Sequence, residues 1–592
     1  MKLFFIKTTS FNGIRDILAG NIRDMRRLWL LVLMVQSFVA AAQIEDGILA
    51  VMRFTGVTSP EELDVYEVER LEELLHIPLR VNASRRSDLE KSGLFNQFQI
   101  ASLLDYRTRH GDILSFTELA AVDGFSQDIV QTISPFISLE SHGSIGVSAK
   151  KFRQELAVKT GYKNNSDHFY LYGGKYKLTS DKICLGLSLS RPYDASANTP
   201  EYISGNISWN HALGKVVVGD FNARFGQGIC LWNSALLSSL SLPSAYMRKP
   251  TGVSVTNSFT GSMALTGLAS DLQLGQWKLS AMLAFPGVKE AVFTQINPAV
   301  NIARYGRIGQ VSMTHLMEFT NVLSYDFRIP QMKTSVDGAL NINGVNIFGE
   351  SAVDWVNKTV AAVCGTDFMA TDKLRLAFLA KYYPAAGFSN DYGVSASGEF
   401  GLGRLKGNFS LEGSYYPKPK SKTQDRCIQL KAQTEWVYNL TDRFTMELRI
   451  KERYRNWDHP YKTDIRIGIQ YKSDKIVAIT RINSLSCDDV GLLGYFEGGY
   501  TPERMSAYLR FGLFKVDDWD DRIYVYERDA PSSFNVPAYY GRGYWISSYL
   551  SWRPVKWLAI YFRASYVSYI FMSDEKRKPG KAELRIQGVI KF

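Results

Sequence analysis

The feature that most constrains the fold is an alternation of apolar and polar residues that starts near Val147 and continues to the end of the chain. Successive side chains of a β-strand point to opposite faces, so a period of two predicts strands. In the final segment the apolar face carries Leu584, Ile586, Gly588, Ile590 and Phe592, and the polar face carries Glu583, Arg585, Gln587 and Lys591. One face suited to lipid and one suited to water predict a transmembrane antiparallel β-barrel.

The barrel is assigned to residues 147–592. At about 10 residues per strand plus turns, this length predicts around 20 strands, within a range of about 16 to 24. The mean hydropathy of −0.13 fits this interpretation, because lipid-facing and lumen-facing residues offset each other. Three longer stretches, 225–258, 286–308 and 517–544, are predicted to be loops, and the first is apolar enough to fold inward.

The last residue adds to this picture. A chain that ends on a strand with a terminal Phe resembles bacterial outer-membrane proteins in general. The resemblance implies that Phe592 belongs to a signal read by the barrel-assembly machinery, and that outer-membrane lipids surround the barrel.

The start of the chain predicts export. Arg26 and Arg27 precede the apolar run LWLLVLMVQSFVAAA, which has small residues at Ala40 and Ala42. A basic flank, a short apolar core and small residues before a cleavage point are typical of a secretory signal peptide, assigned here to residues 1–42. Met25 is a possible true start. The alternative is an N-terminal membrane anchor, for which the run is short. The predicted location is the bacterial outer membrane, with the domain before the barrel in the periplasm.

Charge divides unevenly along the chain. Residues 43–140 carry 8 basic and 17 acidic side chains, whereas residues 141–592 carry a net charge of +16. The basic excess therefore belongs to the strand-rich part. The five cysteines are scattered, so neither a disulfide framework nor a zinc site is predicted.

Helical patterns precede the barrel. Residues 43–80 form a helical lead segment, in which Ser59 and Glu62 predict a capping box for a helix over 59–76. Residues 81–140 contain two copies of one unit, in which a short helix and a glycine-bearing turn lead into a second helix. The turns contain Gly93 and Gly124.

This repeated unit resembles the tandem helix-hairpin-helix domain of the competence DNA-receptor family. The matching landmarks are Asn82, Ala83, Leu89, Gly93, Tyr106, Arg107, Gly111, Phe116, Glu118, Leu119, Val122, Gly124, Ile129, Ile133, Pro135, Phe136 and Ile137. Together with the barrel and the segment GDFNARFGQG (219–228), the chain also looks like outer-membrane proteins of the Bacteroidetes.

The resemblance implies contact with duplex DNA through the two turns and through basic side chains close to them. The residues concerned are Gly93, Phe95, Gly124, Ser126, Arg85, Arg86, Lys91, Arg107 and Arg109. Phe95 and Ser126 stand where the family has a second glycine, and residues 81–140 carry five basic and eight acidic side chains. Because phosphate binding needs a basic surface, the alternative of an adaptor or plug is favoured over DNA binding.

No catalytic, cofactor or metal motif is predicted. The histidines are isolated, and only His211 and His459 fall at strand ends where a barrel hydrolase could carry a catalytic histidine. The aspartates Asp517, Asp518, Asp520 and Asp521 match no calcium-binding loop, so a solvated loop is favoured over a calcium site.

Three functions follow as hypotheses. The first is a non-enzymatic barrel for transport or envelope assembly, with the helical domain as plug or as adaptor for a periplasmic protein partner. The second is a DNA-binding or DNA-uptake protein. The third is a barrel hydrolase.

Overall fold

The computed structural model describes residues 47–141, 152–164, 169–180, 182–211, 213–233, 242–259, 264–286, 295–322, 328–420, 426–570 and 579–592. The predicted signal peptide lies outside these residues. The α-helices are α1 (Gly47–Thr55), α2 (Val65–His76), α3 (Arg86–Ser92), α4 (Gln97–His110), α5 (Phe116–Ala120) and α6 (Gln127–Ile133). Short 3₁₀ helices cover Pro60–Glu62, Ser134–Phe136 and Pro243–Ala245. Among the described residues, no helix is both long and apolar enough to cross a bilayer.

The strands are β1 (Leu79–Arg80), β2 (Ile137–Ser138), β3 (Arg153–Lys163), β4 (Tyr170–Thr179), β5 (Ile183–Arg191), β6 (Tyr202–His211), β7 (Gly214–Arg224), β8 (Gly252–Val255), β9 (Leu265–Leu274), β10 (Trp277–Ala284), β11 (Gln295–Tyr305), β12 (Gly309–Thr320), β13 (Arg328–Ile342), β14 (Val345–Asp354), β15 (Thr359–Thr371), β16 (Leu374–Tyr383), β17 (Asp391–Leu402), β18 (Leu405–Tyr416), β19 (Cys427–Asn439), β20 (Phe444–Arg455), β21 (Tyr461–Lys472), β22 (Ile476–Ser486), β23 (Val490–Tyr500), β24 (Met505–Val516), β25 (Ile523–Tyr524), β26 (Ala538–Tyr539), β27 (Gly541–Val555), β28 (Leu558–Ser568) and β29 (Lys581–Lys591).

The wall is a closed antiparallel barrel of 24 strands. It runs from β3 to β7, from β9 to β24 and from β27 to β29, and β29 pairs with β3 to close the ring. The short β8 pairs with the end of β7. The sequence-based count of about 20 strands was too low, although 24 is the upper limit of the predicted range. The reason is that the turns at one end are very short; Asn343 and Gly344, for example, have positive φ angles of 50° and 83° and close a tight hairpin.

The predicted division of faces is confirmed in the last two strands of the wall. Leu584 and Ile586 of β29 are exposed on the outer surface. Gln587 of the same strand is 3% exposed, and Arg563 of β28 is buried on the inner side. An apolar outer surface on a ring whose backbone groups are paired meets the physical requirements for spanning a bilayer.

The two ends of the barrel differ. At the short-turn end, β9 and β10 are joined by 275–276, β13 and β14 by 343–344, and β17 and β18 by 403–404. At the opposite, long-loop end, β7 and β9 are joined by 225–264, and β24 and β27 by 517–540. In bacterial outer-membrane barrels the short turns lie on the periplasmic side and the long loops outside.

The helices before the barrel share one apolar core. Its fully buried members include Val51, Leu71, Leu89, Ile100 and Phe136. The buried amide of Asn82 ties three segments of this domain together, because its Nδ2 donates to the carbonyls of Ile113 and Leu139 at 2.9 and 2.8 Å. The predicted helix over 59–76 is corrected to the 3₁₀ turn Pro60–Glu62 followed by α2. Ser59 makes no capping bond, because its hydroxyl is engaged with Glu61 and the barrel wall.

Candidate functional site

The helical domain lies inside the barrel, where we call it the helical plug (residues 47–141). Its acidic side chains pair with basic side chains that point inward from strands on opposite sides of the ring. The pairs are Glu61 with Arg466 and Arg481, Glu62 with Lys451, Glu67 with Arg224, Glu73 with Lys177, and Glu90 with Lys278. Contacts on both sides of the ring place the domain within the lumen.

Glu61 pairs with two wall arginines at once. Its carboxylate lies 3.2 Å from Arg466 and 3.1 Å from Arg481, and its side chain is 8% exposed. It also accepts a hydrogen bond from the Tyr526 amide at 3.0 Å. Burial raises the pKa of Glu61, but the Arg481 guanidinium, the Ser59 hydroxyl and other donors overcome it and hold this pKa at about 2. The carboxylate is therefore charged at physiological pH, and it joins plug, wall and loop.

A second anchor lies near the short-turn end. Lys278 at the start of β10 donates to Glu90 of α3 at 2.9 Å, and both side chains are buried. Arg86, one turn before Glu90, lies over the Tyr305 ring at 4.2 Å from its centroid. Helix α3 therefore packs directly against β10 and β11.

Glu72 of α2 behaves differently from Glu61. Its carboxylate accepts a hydrogen bond from the Ser532 amide at 3.1 Å. Burial raises the pKa of Glu72 to about 7; the Ser532 amide opposes this shift and the nearby Glu69 adds to it. Glu72 is thus a half-buried acid whose charge changes near neutral pH.

The first inward loop joins β7 to β9, and its described residues (225–233, 242–259 and 264) reach from β7 to β14 on the inner side of the wall. The inward-pointing side chains Ser188 and Lys215 donate to the carbonyls of Ser258 and Val253. On β14, six strands further around the ring, the buried Glu350 accepts hydrogen bonds from the amides of Gln227 and Ile229 at 2.7 and 3.0 Å. In the described residues of the predicted stretch 225–258, the chain folds inward as expected.

The turn that holds Glu350 depends on glycine. Gly226 has a φ of 60°, and a Cβ there would lie 2.8 Å from the Glu350 carboxylate. The end of the GDFNARFGQG segment is therefore a nest of backbone N–H groups around a carboxylate of the chain's own wall. The loop also meets the plug, since Lys249 donates to the Leu94 carbonyl at 3.2 Å.

The second inward loop, residues 517–540, lies in the lumen against β24, β28 and β29. Arg510 of β24 donates to the Tyr526 carbonyl at 2.7 Å, and Arg563 of β28 donates to Glu527 at 2.6 Å. Gln587 of β29 donates to the Pro531 carbonyl at 2.9 Å. With the Glu61 and Glu72 contacts, this loop joins the plug to the wall.

The first predicted hairpin faces inward. Gly93 ends α3 in the left-handed conformation and is buried, with Arg70 and Thr251 where a Cβ would point. Phe95 is 3% exposed and packs edge-on against Phe125, with ring centroids 5.9 Å apart. Phe95 therefore joins the two helical units as a core residue.

The second predicted hairpin is accessible. Gly124, with a φ of 83°, and Ser126 are both exposed. The Ile129 amide donates to the Ser126 hydroxyl at 3.3 Å, so this serine caps α6. Its role in binding a ligand stays a prediction.

The predicted basic residues do not share one environment. Arg86 faces the wall, and Arg107 donates to the Ser84 carbonyl at 2.7 Å. Arg109 pairs with Asp105 on an exposed surface, at 3.0 Å. Arg85 and Lys91 are exposed.

The two candidate histidines lie at opposite ends of the barrel. His211, at the short-turn end, packs against Trp209 with ring centroids 5.3 Å apart. His459, at the long-loop end, contacts the Asp488 carboxylate through Nδ1, and its Nε2 lies 3.4 Å from Asp520. Of the aspartates in the second inward loop, Asp521 is fully buried and Asp517 pairs with Arg542.

Sequence reasoning missed the anchors themselves. Glu61, Glu67 and Glu90 were counted only among the acidic side chains of residues 43–140, and their basic partners in the wall were not singled out. The available signal was the uneven division of charge, with an excess of acids before the barrel and an excess of bases within it. Each excess is the complement of the other across the plug–wall contact.

The fold and the site define a class: a closed β-barrel whose lumen is filled by its own N-terminal helical domain and two inward loops. No protein-family model matches the chain, and no curated protein matches it. Among solved structures it is similar to the siderophore receptor PirA from Pseudomonas aeruginosa, with 8% identity, 75% of this chain and 80% of that chain covered, and a TM-score of 0.39. It is also similar to the copper transporter OprC, at 8% identity, 74% and 80% coverage and a TM-score of 0.38. A third is OccK5 of Pseudomonas aeruginosa, at 9% identity, 75% and 98% coverage and a TM-score of 0.26. At these identities and TM-scores the likenesses assign no function.

Proposed function

We propose that the chain is a non-enzymatic outer-membrane transporter whose lumen is closed by the helical plug and opens when the plug shifts. The observation that carries this proposal is the set of ion pairs between plug acids and inward-pointing wall bases. A lumen of 24 strands is wide enough to conduct water and solutes unless it is filled. A plug held by side-chain contacts, with no strand of its own in the wall, can move without breaking the ring.

In this proposal the short-turn end faces the periplasm, as the general architecture of such barrels implies. Helices α5 and α6 lie at the exposed side of the plug. A periplasmic protein partner would reach the plug there, and Phe592 would guide assembly of the barrel in the outer membrane.

Single-channel conductance in planar bilayers tests the proposal. Full-length protein is expected to stay closed, and protein lacking residues 47–141 is expected to conduct. Glu61→Gln is expected to open the channel intermittently, because it leaves Arg466 and Arg481 without a charged partner. Asp105→Asn, which breaks only an exposed pair, is the matched control.

Heat-dependent migration in gel electrophoresis verifies that each variant has folded as a barrel. Equal conductance of full-length and plug-deleted protein would overturn the proposal, as would a folded plug-deleted barrel that does not conduct.

We further infer that residues 81–140 are a tandem helix-hairpin-helix unit of the kind found in the competence DNA-receptor family, used here as a plug in a protein resembling those of the Bacteroidetes. The burial of Gly93 and Phe95 supports this use over binding of duplex DNA. Mobility shift of duplex DNA by the full-length protein at low salt tests it. Salt-sensitive binding that is lost in Arg109→Ala would favour the DNA function instead.

A further inference from the structure

We propose that the long-loop end carries a binding site for a divalent transition-metal ion of the Zn²⁺ class, formed by His459, Cys487, Asp488, Asp518 and Asp520. This site is separate from the plug contacts, and the proposal does not depend on transport.

Three separate segments bring these donors together. His459 lies in the turn between β20 and β21, Cys487 and Asp488 lie between β22 and β23, and Asp518 and Asp520 begin the second inward loop. One ligand atom each from His459, Cys487 and Asp488 lie within 4.8 Å of one another. The same holds for Asp488, Asp518 and Asp520, so Asp488 is common to both groups.

The neighbouring backbone fixes the donors in place. Fully buried Asp521 accepts hydrogen bonds from the amides of Cys487, at 2.5 Å, and Asp489, at 2.7 Å. His459 has a φ of 52°, a conformation uncommon for a residue other than glycine. Arg453 donates to the His459 carbonyl at 3.3 Å and lies 3.9 Å from the Cys487 sulfur. Three chain segments are thus held so that their side chains converge.

The donor types select the ion. An imidazole nitrogen, a thiolate sulfur and carboxylate oxygens are the ligands that Zn²⁺ and similar ions prefer, whereas Ca²⁺ is bound by oxygen alone. Cys487 is a free thiol and only partly buried, so an ion from solution can reach it. On binding, the thiol loses its proton to solvent and the imidazole is neutral, because only the deprotonated forms coordinate metal.

The site has a structural consequence for the second inward loop. Asp518 and Asp520 stand at the start of this loop, and Tyr526 and Ser532 further along it contact the plug. A bound ion would fasten the start of the loop to the turns of β20–β21 and β22–β23.

The test uses full-length protein in detergent, stripped of metal and titrated with Co²⁺ and then Zn²⁺. We expect one Co²⁺ to bind with the charge-transfer absorption of a cobalt–thiolate bond, and Zn²⁺ to displace it. Cys487→Ser is expected to abolish that absorption, and His459→Gln is expected to weaken binding at least tenfold. Cys364→Ser and His211→Gln, which change the same residue types elsewhere on the barrel, are expected to bind as the unmodified protein does.

Heat-dependent gel migration shows whether each variant is folded, and Asp488→Asn provides a second variant that removes the common carboxylate. The proposal is overturned if the unmodified protein gives no thiolate absorption, or if the absorption survives in Cys487→Ser. It is also overturned if Ca²⁺ binds there and Zn²⁺ does not, which would mark an oxygen-only site.

Discussion

At the scale of single residues, the contact between plug and wall consists of acidic and basic side chains that are nearly inaccessible to solvent. Glu61, Arg466 and Arg481 are each nearly buried, as are Glu90 and Lys278. Isolated buried charges are costly, so each such group is stable only with its partner in place. The pairs therefore define one position of the plug more sharply than apolar packing would.

Glu72 predicts a pH dependence of plug docking. Its pKa is raised from 4.5 to about 7 in the docked state, so docking is favoured while the carboxyl keeps its proton. This contribution is fully present below the ordinary pKa and is lost as the pH rises through about 7. Glu72→Gln removes this pH dependence, because the glutamine amide does not ionise in this pH range.

We expect Glu72→Gln to stabilise the docked plug at pH 8 by about 2 kcal/mol, allowing about 1.4 kcal/mol per pKa unit and a discount for partial exposure. At pH 4.5 it is expected to change little. Hydrogen exchange of the α2 amides, corrected for intrinsic rates, measures the stability of the docked plug at each pH. Glu67→Gln is the opposite case, since Arg70 and Arg224 overcome burial and hold the pKa of Glu67 at about 2. Glu67→Gln should destabilise docking at both pH values. If Glu67→Gln and Glu72→Gln changed the docking stability in the same way, the opposite roles given to the two carboxyls would be wrong.

At the scale of elements, two glycine turns with nearly the same backbone angle make a matched pair. Gly226 has a φ of 60° and Gly275 a φ of 61°, but a Cβ would meet Glu350 only at Gly226. Both alanine variants incur the left-handed penalty of about 1–2 kcal/mol. Gly226→Ala also separates Glu350 from its amide donors, at a further cost of about 1–3 kcal/mol.

Limited proteolysis of the first inward loop checks this prediction. Gly226→Ala should expose the loop to cleavage, whereas Gly275→Ala should leave it protected. Similar cleavage of both variants would mean that the Glu350 contact does not hold the loop.

The sequence predicted elements well where one physical rule dominates. Strand β29 follows from alternation alone, because lipid and lumen demand opposite side chains at Ile586 and Gln587. The start of α2 could not be predicted from its local pattern. Ser59 and Glu62 match a capping box, but in the structure Ser59 contacts Arg466 and Glu62 contacts Lys451 of the wall. Such long-range partners leave no mark on local spacing.

The candidate site was harder to predict than the wall. The glycine turns at Gly93 and Gly124 were found as turns, yet their surroundings differ because only the first is covered by the barrel. The convergence of His459 with Cys487 and Asp488 depends on which strands are neighbours. Which strands are neighbours follows from their order around the ring, and that order can be assigned from the sequence only once every strand has been identified.

At the scale of the whole molecule, the acidic domain and the basic barrel are two halves of one electrostatic contact. The pair formed by Glu90 and Lys278 offers a test of that contact. Glu90→Gln and Lys278→Met should each destabilise docking, but by less than the roughly 3–5 kcal/mol of a buried charge left alone. Arg86 still pairs with Glu90, and Asp271 still lies 3.6 Å from Lys278. The double variant should cost less than the sum of the two.

Hydrogen exchange of the plug measures all three variants. Glu73→Gln is the control, because the Glu73 side chain is 55% exposed and its pair with Lys177 should contribute less than about 1 kcal/mol. Strictly additive effects of the Glu90 and Lys278 variants would show that the two residues do not interact.

The pairing of β29 with β3 sets an order of events in the making of this protein. The helical domain precedes β3 and is synthesised first, yet the ring closes only when Glu583–Lys591 meets Glu155–Lys163. The bases that hold the domain come from β4, β7, β10 and β20 to β22, which face one another only once the sheet has curved. The helical domain therefore precedes the wall in the chain, but it can meet its full set of partners only when the last strand has joined the ring.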